Sequence, residues 1–232
     1  MGFASGNGTN TGKPNNLHGP YFYLAIRAYI LALSINIVTV IATESPLMPP
    51  VGRIFDKETY VARLAPFVKQ LRGRIPVAYT LITPLPLRLQ SGWNLYSKMR
   101  RFGVDDPSML AGFMAKGSPD RDVPAELVPE GDDIVFEKST QNLFVRTNVE
   151  MILRNREVKT LVFTGIATEI GVETSARDAG ARGFYPVIVS DGVSSMDREG
   201  HERSLKALAK LGIVATMAEV SAAIAASGVA AH

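Results

Sequence analysis

The chain has 232 residues, of which 46% are hydrophobic and 20% are charged, with a formal net charge of +3 and no cysteine. This length and balance are typical of one folded domain with a full core and are not those of a disordered chain. The small net charge argues against a nucleic-acid partner. The absence of cysteine excludes disulfides, thiolate metal sites and thiol catalysis.

The N-terminal part of the chain has two regions of contrasting composition. Residues 1–20 are rich in glycine, asparagine and threonine, and we expect them to form a flexible arm. Residues 21–43 form an apolar run that is interrupted by an arginine, a serine and Asn36. The run is long enough for a membrane span, but its polar residues favour a buried strand of a parallel sheet. We therefore expect a cytoplasmic chain with no membrane partner, and a first strand at residues 29–38.

Strand and helix patterns alternate along the rest of the chain. Asp56 is expected to cap a helix that Pro66 kinks or delays. Thr147 with Glu150 has the spacing of a capping box and is expected to begin another helix. Helices between successive strands require parallel pairing with right-handed crossovers. The other expected elements are strands 75–82, 133–138, 158–164, 185–191 and 213–217, and helices from Gly171 to Gly183, from Asp197 to Leu211 and after residue 217.

Residues 83–132 interrupt this alternation. The segment contains several prolines, glycines and methionines and the only tryptophan of the chain, Trp93. Insertions of this length usually form a lid, a pocket wall or a subunit contact. We expect one domain over residues 21–232 that carries this insertion, with Trp93 as part of the wall of a substrate pocket.

Polar residues are expected to gather at the carboxyl ends of the strands, where parallel sheets bind their ligands. Asn36 is placed late in the expected first strand, Lys138 ends the third, and Glu169 and Gly171 follow the fourth. Each of these residues alone is more often structural, because a lysine can extend to solvent and an asparagine can bond to backbone. Their convergence on one edge predicts a site.

A family resemblance is carried by two long stretches of sequence. The run TGIATEIGVETSARDAGARGFYPVIVSDGVSS resembles the nucleophile region of the isochorismatase-like (cysteine hydrolase) superfamily. The run DDIVFEKSTQNLFVRTNVEMILRN resembles the segment that carries the catalytic lysine of that family. The similarity covers roughly residues 55–217. It implies a three-layer Rossmann-like α/β fold, with a parallel sheet of strand order 3-2-1-4-5-6 and helices on both faces, and a homo-oligomer.

The resemblance also implies an Asp–Lys–Cys triad. Lys138 occupies the position of the lysine, Asn36 that of the aspartate and Gly171 that of the cysteine. A glycine offers no nucleophile, so a covalent acyl-enzyme at this position is impossible. Isochorismatases proper include members with glycine there, and the resemblance implies their route, in which a vinyl ether is protonated and water adds to the cation. Gly171 would also leave room for a bulky substrate.

The proton for such a route needs another source, because the amide of Asn36 is not an acid. We expect Glu169 to pair with Lys138 and to supply the proton, with Asn36 orienting substrate or water. The alternative is that Glu169 faces solvent or caps the following helix. Lys138 is expected to bind a carboxylate or a developing oxyanion.

The turn that contains Glu169 is expected to complete the substrate site. Backbone amides from Ile170 to Val172 are expected to form the anion cradle, and Thr168 and Gly171 are expected to contact the substrate.

Neither a metal nor a cofactor is expected. The histidines His18, His201 and His232 are scattered without ligand spacing, and the run TLITPLPLRL lacks the Asp and His residues with which nicotinamidases of the superfamily hold a metal. The helical spacing of His201 with Leu205 and Leu208 predicts a packed helix residue. The turn has no G-x-G-x-x-G spacing, which argues against a dinucleotide.

Three interpretations remain open from the sequence. The first is a cofactor-independent hydrolase that acts on a small organic substrate such as a vinyl ether or an amide. The second is a catalytically inactive family member that acts as a ligand-binding or assembly subunit. The third is that Asn36 or Gly171 was introduced in the laboratory to trap a ligand.

Overall fold

The structure is a computed structural model that describes residues 36–40, 54–117 and 123–227, with residues 36–40, 57 and 58 described by their backbone alone. The expected N-terminal arm and most of the apolar run after it lie outside these residues. The strands are β1 (Asn36–Val40), β2 (Val77–Ile82), β3 (Ile134–Lys138), β4 (Thr160–Ile166), β5 (Tyr185–Ser194) and β6 (Ile213–Ala215). The α-helices are α1 (Lys57–Leu71), α2 (Gly92–Phe102), α3 (Val149–Asn155), α4 (Glu173–Ala181), α5 (Arg198–Leu208) and α6 (Met217–Ala226).

The six strands form one sheet in the order β3-β2-β1-β4-β5-β6, and all neighbouring pairs are parallel. This order confirms the prediction. The chain reverses its direction of travel across the sheet between β1 and β4. Ligands of open α/β sheets bind in the crevice outside the carboxyl ends of the strands at such a reversal.

Helices cover both faces of the sheet, as the alternation of buried side chains in β4 illustrates. Val162 packs in a core with α1 and α6, whereas Leu161 and Phe163 pack in a second core with α3, α4 and α5. Successive side chains of a strand point to opposite faces, so a strand buried on both faces is apolar throughout. The predicted three-layer architecture is confirmed.

The first strand differs from the prediction in a way that affects the site. The described part of β1 starts at Asn36, which pairs with Thr160, the first residue of β4. Asn36 therefore lies at the amino edge of the sheet, whereas Lys138 lies at the carboxyl edge. The placement of Asn36 late in the strand was wrong. An apolar run without turn residues does not mark where its strand begins, which is why its ends could not be located.

Two expected helix signals also turned out differently. Helix α1 continues through Pro66 and begins well before it, so the proline does not delay the helix. The Thr147 and Glu150 capping box is wrong, because the Thr147 hydroxyl donates to the Leu143 carbonyl. Glu150 instead pairs with Arg182.

In its described residues, the insertion at 83–132 contains α2 and short 3-10 turns, and none of the residues of α2 is buried. Within the described part of the chain, no helix is long and apolar enough to cross a membrane.

Candidate active site

Lys138 is the last residue of β3 and is only 2% exposed. Its Nζ donates to the carbonyl of Gln141 at 2.7 Å. No described carboxylate lies within ion-pair distance of Lys138, and burial lowers the pKa of Lys138 from 10.5 to about 8. The predicted position at the strand end is confirmed, and the side chain is an amine buried without a described counter-charge.

The loop that holds Lys138 is joined to helix α4. The backbone N–H of Leu143 donates to Ser175 Oγ at 3.0 Å, and Asn142 Nδ2 donates to Asp178 at 2.8 Å. Ser175 lies about one helical turn after Gly171. These bonds fix the Lys138 loop relative to the turn after β4, so the two predicted parts of the site belong to one edge of the sheet.

The turn after β4, which we call the site turn, is a single π-helical turn over Thr168–Val172. Thr168, Gly171 and Val172 are buried in it. The backbone N–H groups of Ile170 and Val172 both donate to the carbonyl of Ala167, at 3.2 and 3.3 Å. These two amides are satisfied by the protein, so the predicted cradle from Ile170 to Val172 was wrong for both, and only the amide of Gly171 remains a candidate.

Glu169 does not pair with Lys138. Its Oε1 accepts a hydrogen bond from Ser195 Oγ at 2.8 Å, next to the end of β5. Its Oε2 is buried and has no hydrogen-bond partner among the described residues. The predicted Glu169–Lys138 pair was wrong because the carboxylate turns toward β5 and away from β3. The alternative in which Glu169 points to solvent was also wrong, because Oε2 is buried and Oε1 is held by the Ser195 hydroxyl.

The insertion contributes a different residue from the one expected. Trp93 is 73% exposed and packs on Tyr96 with their ring centroids 5.9 Å apart. The indole therefore walls no pocket in the described chain, and its predicted role was wrong. Arg101, on the same helix α2, interacts with the Glu169 carboxylate. Loss of solvent around the guanidinium lowers the pKa of Arg101, and the negative charge of Glu169 opposes this shift. Taken over all its atoms, Arg101 remains an exposed residue.

Sequence reasoning missed a polar network beside the site turn. The Thr168 hydroxyl lies 3.0 Å from the carbonyl oxygen of Ser194 and 2.8 Å from Nδ1 of His201. The Ser194 hydroxyl in turn donates to Asp56. Two consecutive serines at the end of β5, the strand beside β4, were the available signal, because neighbouring parallel strands bring their carboxyl ends together.

A cavity of about 590 Å³ lies elsewhere, at the amino ends of the strands. Its lining includes Arg72, Ile75 and Val77 at the start of β2 and Asp133 before β3. It lies at the opposite edge of the sheet from Lys138 and is separate from the candidate site. Among the residues that the structure describes, no cluster of His, Cys, Asp or Glu is suited to hold a metal ion.

The fold defines a doubly wound parallel α/β protein whose candidate site lies at the carboxyl ends of its strands. A family model described as the Isochorismatase domain matches residues 36–219. Because this match spans most of the sequence, the chain belongs to the isochorismatase family.

Solved structures give the same result for the fold. A cysteine hydrolase from Pseudomonas syringae has a TM-score of 0.68 at 23% identity, over 83% of this chain and 93% of that one. An isochorismatase family protein from Burkholderia thailandensis has a TM-score of 0.63 at 26% identity, over 83% and 96%. N-carbamoylsarcosine amidase from Thermoplasma acidophilum has a TM-score of 0.61 at 20% identity, over 79% and 97%. The family and these neighbours are hydrolases, in agreement with the prediction.

Proposed function

We propose that this chain hydrolyses a small organic substrate that carries a carboxylate, with Lys138 as the group that binds it. The observation that supports this proposal is the isolation of the Lys138 amine, which is buried against one carbonyl oxygen and lacks a described carboxylate partner. An unpaired buried charge costs several kcal/mol, on the order of the penalty for desolvating one ion. An anionic ligand would remove most of this penalty by supplying the counter-charge.

The reaction must proceed without a thiolate, because the chain contains no cysteine. Hydrolysis of a vinyl ether needs only a proton donor and a water. The double-bond carbon remote from the ether oxygen takes a proton, and water adds to the resulting oxocarbenium carbon. The water loses a proton to the donor, and the hemiketal then collapses to a carbonyl compound and an alcohol. We assign the proton transfer to Glu169, whose buried Oε2 lacks a described partner while Ser195 holds Oε1.

The separation of the two groups limits the shape of the substrate. The ends of β3 and β4 lie three strand spacings apart, about 14 Å. Part of this distance is covered by the side chain of Lys138. A substrate with its carboxylate and its vinyl ether at opposite ends fits this arrangement, with the small residue Gly171 leaving space over the site turn. Thr168 is buried below the turn and holds it in place.

A binding subunit without catalysis is the second candidate. It is favoured by one observation, namely that Lys138 and Glu169 do not form the pair that a catalytic dyad would need. Both candidates use Lys138 to bind an anion and differ only in turnover. The expectations of a homo-oligomer and of a cytoplasmic location stay predictions.

The test is a hydrolysis screen with matched pairs of vinyl ethers, esters and amides, each with and without a carboxylate. Wild type, Lys138→Met and Lys210→Met are compared, since Lys210 is an exposed lysine and controls for the loss of one charge. We expect turnover of carboxylate-bearing vinyl ethers that is lost in Lys138→Met and kept in Lys210→Met. Binding without turnover would support the second candidate. Turnover that survives Lys138→Met would overturn both.

A further inference from the structure

The hydroxyl of Thr168 lies between two polar atoms that both require a hydrogen bond. Thr168 is fully buried, and its Oγ1 is 3.0 Å from the Ser194 carbonyl oxygen and 2.8 Å from His201 Nδ1. We call these two contacts the Thr168 clamp. The clamp joins the site turn to the end of β5 and to His201, which lies in the first turn of α5.

The proton count of the clamp determines the tautomer of His201. A threonine hydroxyl has one proton to donate and can also accept. A carbonyl oxygen only accepts, so the hydroxyl proton goes to Ser194. His201 Nδ1 must then be the donor to Thr168 Oγ1, because an unprotonated Nδ1 would place two lone pairs against each other. His201 is therefore protonated at Nδ1, and no described residue forms a hydrogen bond with its Nε2.

Burial of this imidazole disfavours its charged form. Burial lowers the pKa of His201, while the carboxylates of Asp56, Glu169 and Glu202 oppose this shift and Arg198 reinforces it. The ring also packs edge-on against Phe55, with 5.2 Å between the ring centroids.

We propose that His201 is a positioning residue of the site, which acts through Thr168 to hold the site turn and the carboxylate of Glu169 against the end of β5. Thr168 directly precedes Glu169, so the clamp limits how far the Glu169 backbone can move. The effect on turnover rests on the proposed function. The tautomer and the rigidity of the turn do not depend on it, so they can be tested even if the chain hydrolyses nothing.

The first experiment measures the tautomer by long-range ¹H–¹⁵N NMR of the imidazoles at neutral pH. The chain has three histidines, and the His201 signals are assigned by their absence in His201→Asn. We expect ¹⁵N shifts of a protonated Nδ1 and an unprotonated Nε2. Shifts of the opposite tautomer, in which Nδ1 carries no proton, would overturn the proposal.

The second experiment compares side chains that keep or lose the Nδ1 donor. The amide N–H of an asparagine can reach the place of Nδ1–H, whereas glutamine reaches the place of Nε2 and phenylalanine offers no donor. We expect amide hydrogen exchange at Ile170 and Val172 to accelerate about threefold to tenfold in His201→Phe and His201→Gln, the value of one hydrogen bond. His201→Asn should exchange more slowly than both, and Arg203→Ala on the exposed side of α5 serves as the control.

The same variants separate positioning from direct catalysis. If wild type turns over a substrate, the clamp predicts that kcat falls while KM changes little, and that Asn retains more kcat than Gln. The reverse order, with Gln better than Asn, would indicate that Nε2 contacts the substrate and would overturn a positioning role. Should His201→Phe fail to fold, the clamp can be broken from the other side. Thr168→Val removes the Thr168 hydroxyl, whereas Thr168→Ser keeps a hydroxyl at this position. Equal exchange rates in Val and Ser variants would also contradict the clamp.

Discussion

The charge on Lys138 destabilises the folded protein, because its amine is buried without a described anion beside it. Groups of this kind are retained where function requires them, and their removal commonly stabilises a protein at the expense of its activity. The Gln141 carbonyl bond is the only compensation that the described residues provide.

Replacement of Lys138 by methionine should therefore stabilise the protein at pH 7. The change removes a buried charge and keeps most of the side-chain volume, while the Gln141 carbonyl loses its donor. We expect the free energy of unfolding to rise by about 1 to 2 kcal/mol, after subtraction of the lost hydrogen bond. Urea denaturation measures this, and a lower stability in Lys138→Met would contradict the expected cost of the buried charge.

The pH dependence of stability follows from the same residue. The pKa of Lys138 is about 8 in the folded protein and near 10.5 when exposed in the unfolded chain. Between pH 8 and 10.5 the unfolded chain binds more protons at this lysine than the folded protein does. The free energy of unfolding therefore increases as the pH rises through this window. We expect the gain, on the order of 3 kcal/mol, to be absent in Lys138→Met. Denaturation of wild type and Lys138→Met at several pH values measures this gain. If the free energy of unfolding changed with pH in the same way in both proteins, the prediction would be contradicted.

Glu169 is assigned to proton transfer, and Glu169→Gln tests this role with little change in shape. The glutamine can still accept from Ser195 Oγ but cannot transfer a proton. We expect kcat to fall about 100-fold or more while a carboxylate inhibitor binds with similar affinity. Steady-state kinetics together with calorimetry separates the two effects. Unchanged kcat would remove Glu169 from the mechanism.

At the scale of the element, the first turn of helix α5 lies next to the Glu169 side chain. Asp197 caps this helix by accepting from the backbone N–H of Gly200 at 3.0 Å. A Cβ on Gly200 would lie 2.6 Å from Asp197 Oδ2 and 3.2 Å from Glu169 Cγ. Because Gly200 has no side chain, the Asp197 carboxylate and the Glu169 side chain can both pack against its backbone.

Gly200→Ala should consequently disturb both the helix cap and the site. We expect a loss of about 1 kcal/mol of stability, the usual value of an N-cap, together with reduced kcat. Gly180→Ala is the matched control, because a Cβ there is 3.9 Å from its nearest neighbour, Pro186 Cγ, in the last turns of α4. The control should be neutral or stabilising. Equal thermal unfolding curves for the two variants would refute this account of Gly200.

Helix α2 of the insertion places Arg101 near Glu169, whereas its aromatic residues Trp93 and Tyr96 face solvent. We expect Arg101→Ala to raise KM for an anionic substrate several-fold, about the effect of one partly exposed charge. Arg100→Ala, one residue away on the same helix, and Trp93→Ala should leave KM unchanged. A larger KM effect at Trp93 than at Arg101 would restore the predicted aromatic pocket wall.

The elements differ in how well their sequence predicted them. Strands β2 to β6 were located to within a few residues, because buried parallel strands are continuously apolar and end at polar or glycine residues. The capping box at Thr147 failed, since a threonine hydroxyl can equally bond to a preceding carbonyl. A true capping box occurs at Thr216 and Glu219 of α6. Short-range patterns of this kind depend on the tertiary contacts around them.

At the scale of the whole molecule, the sheet order and the edge at which Lys138 and the site turn lie could be predicted. Strand alternation imposes parallel pairing, and the carboxyl ends of the strands then define the crevice. Lys138 was placed correctly on this basis. The direction of the Glu169 side chain could not be predicted, because it depends on Ser195 and Arg101, which come from distant parts of the sequence. The same holds for His201, whose partner Thr168 lies on another element.

The central claim is that the Lys138 amine, which has no counter-charge among the described residues, serves as the anion-binding group of this site, and its titration can be observed directly. NMR of lysine ¹³Cε, with the signal assigned through Lys138→Met, should give a pKa of about 8 in the free protein. Saturating benzoate should raise this pKa, because a bound carboxylate favours the charged amine. An ordinary value near 10.5 that benzoate does not change would contradict the claim.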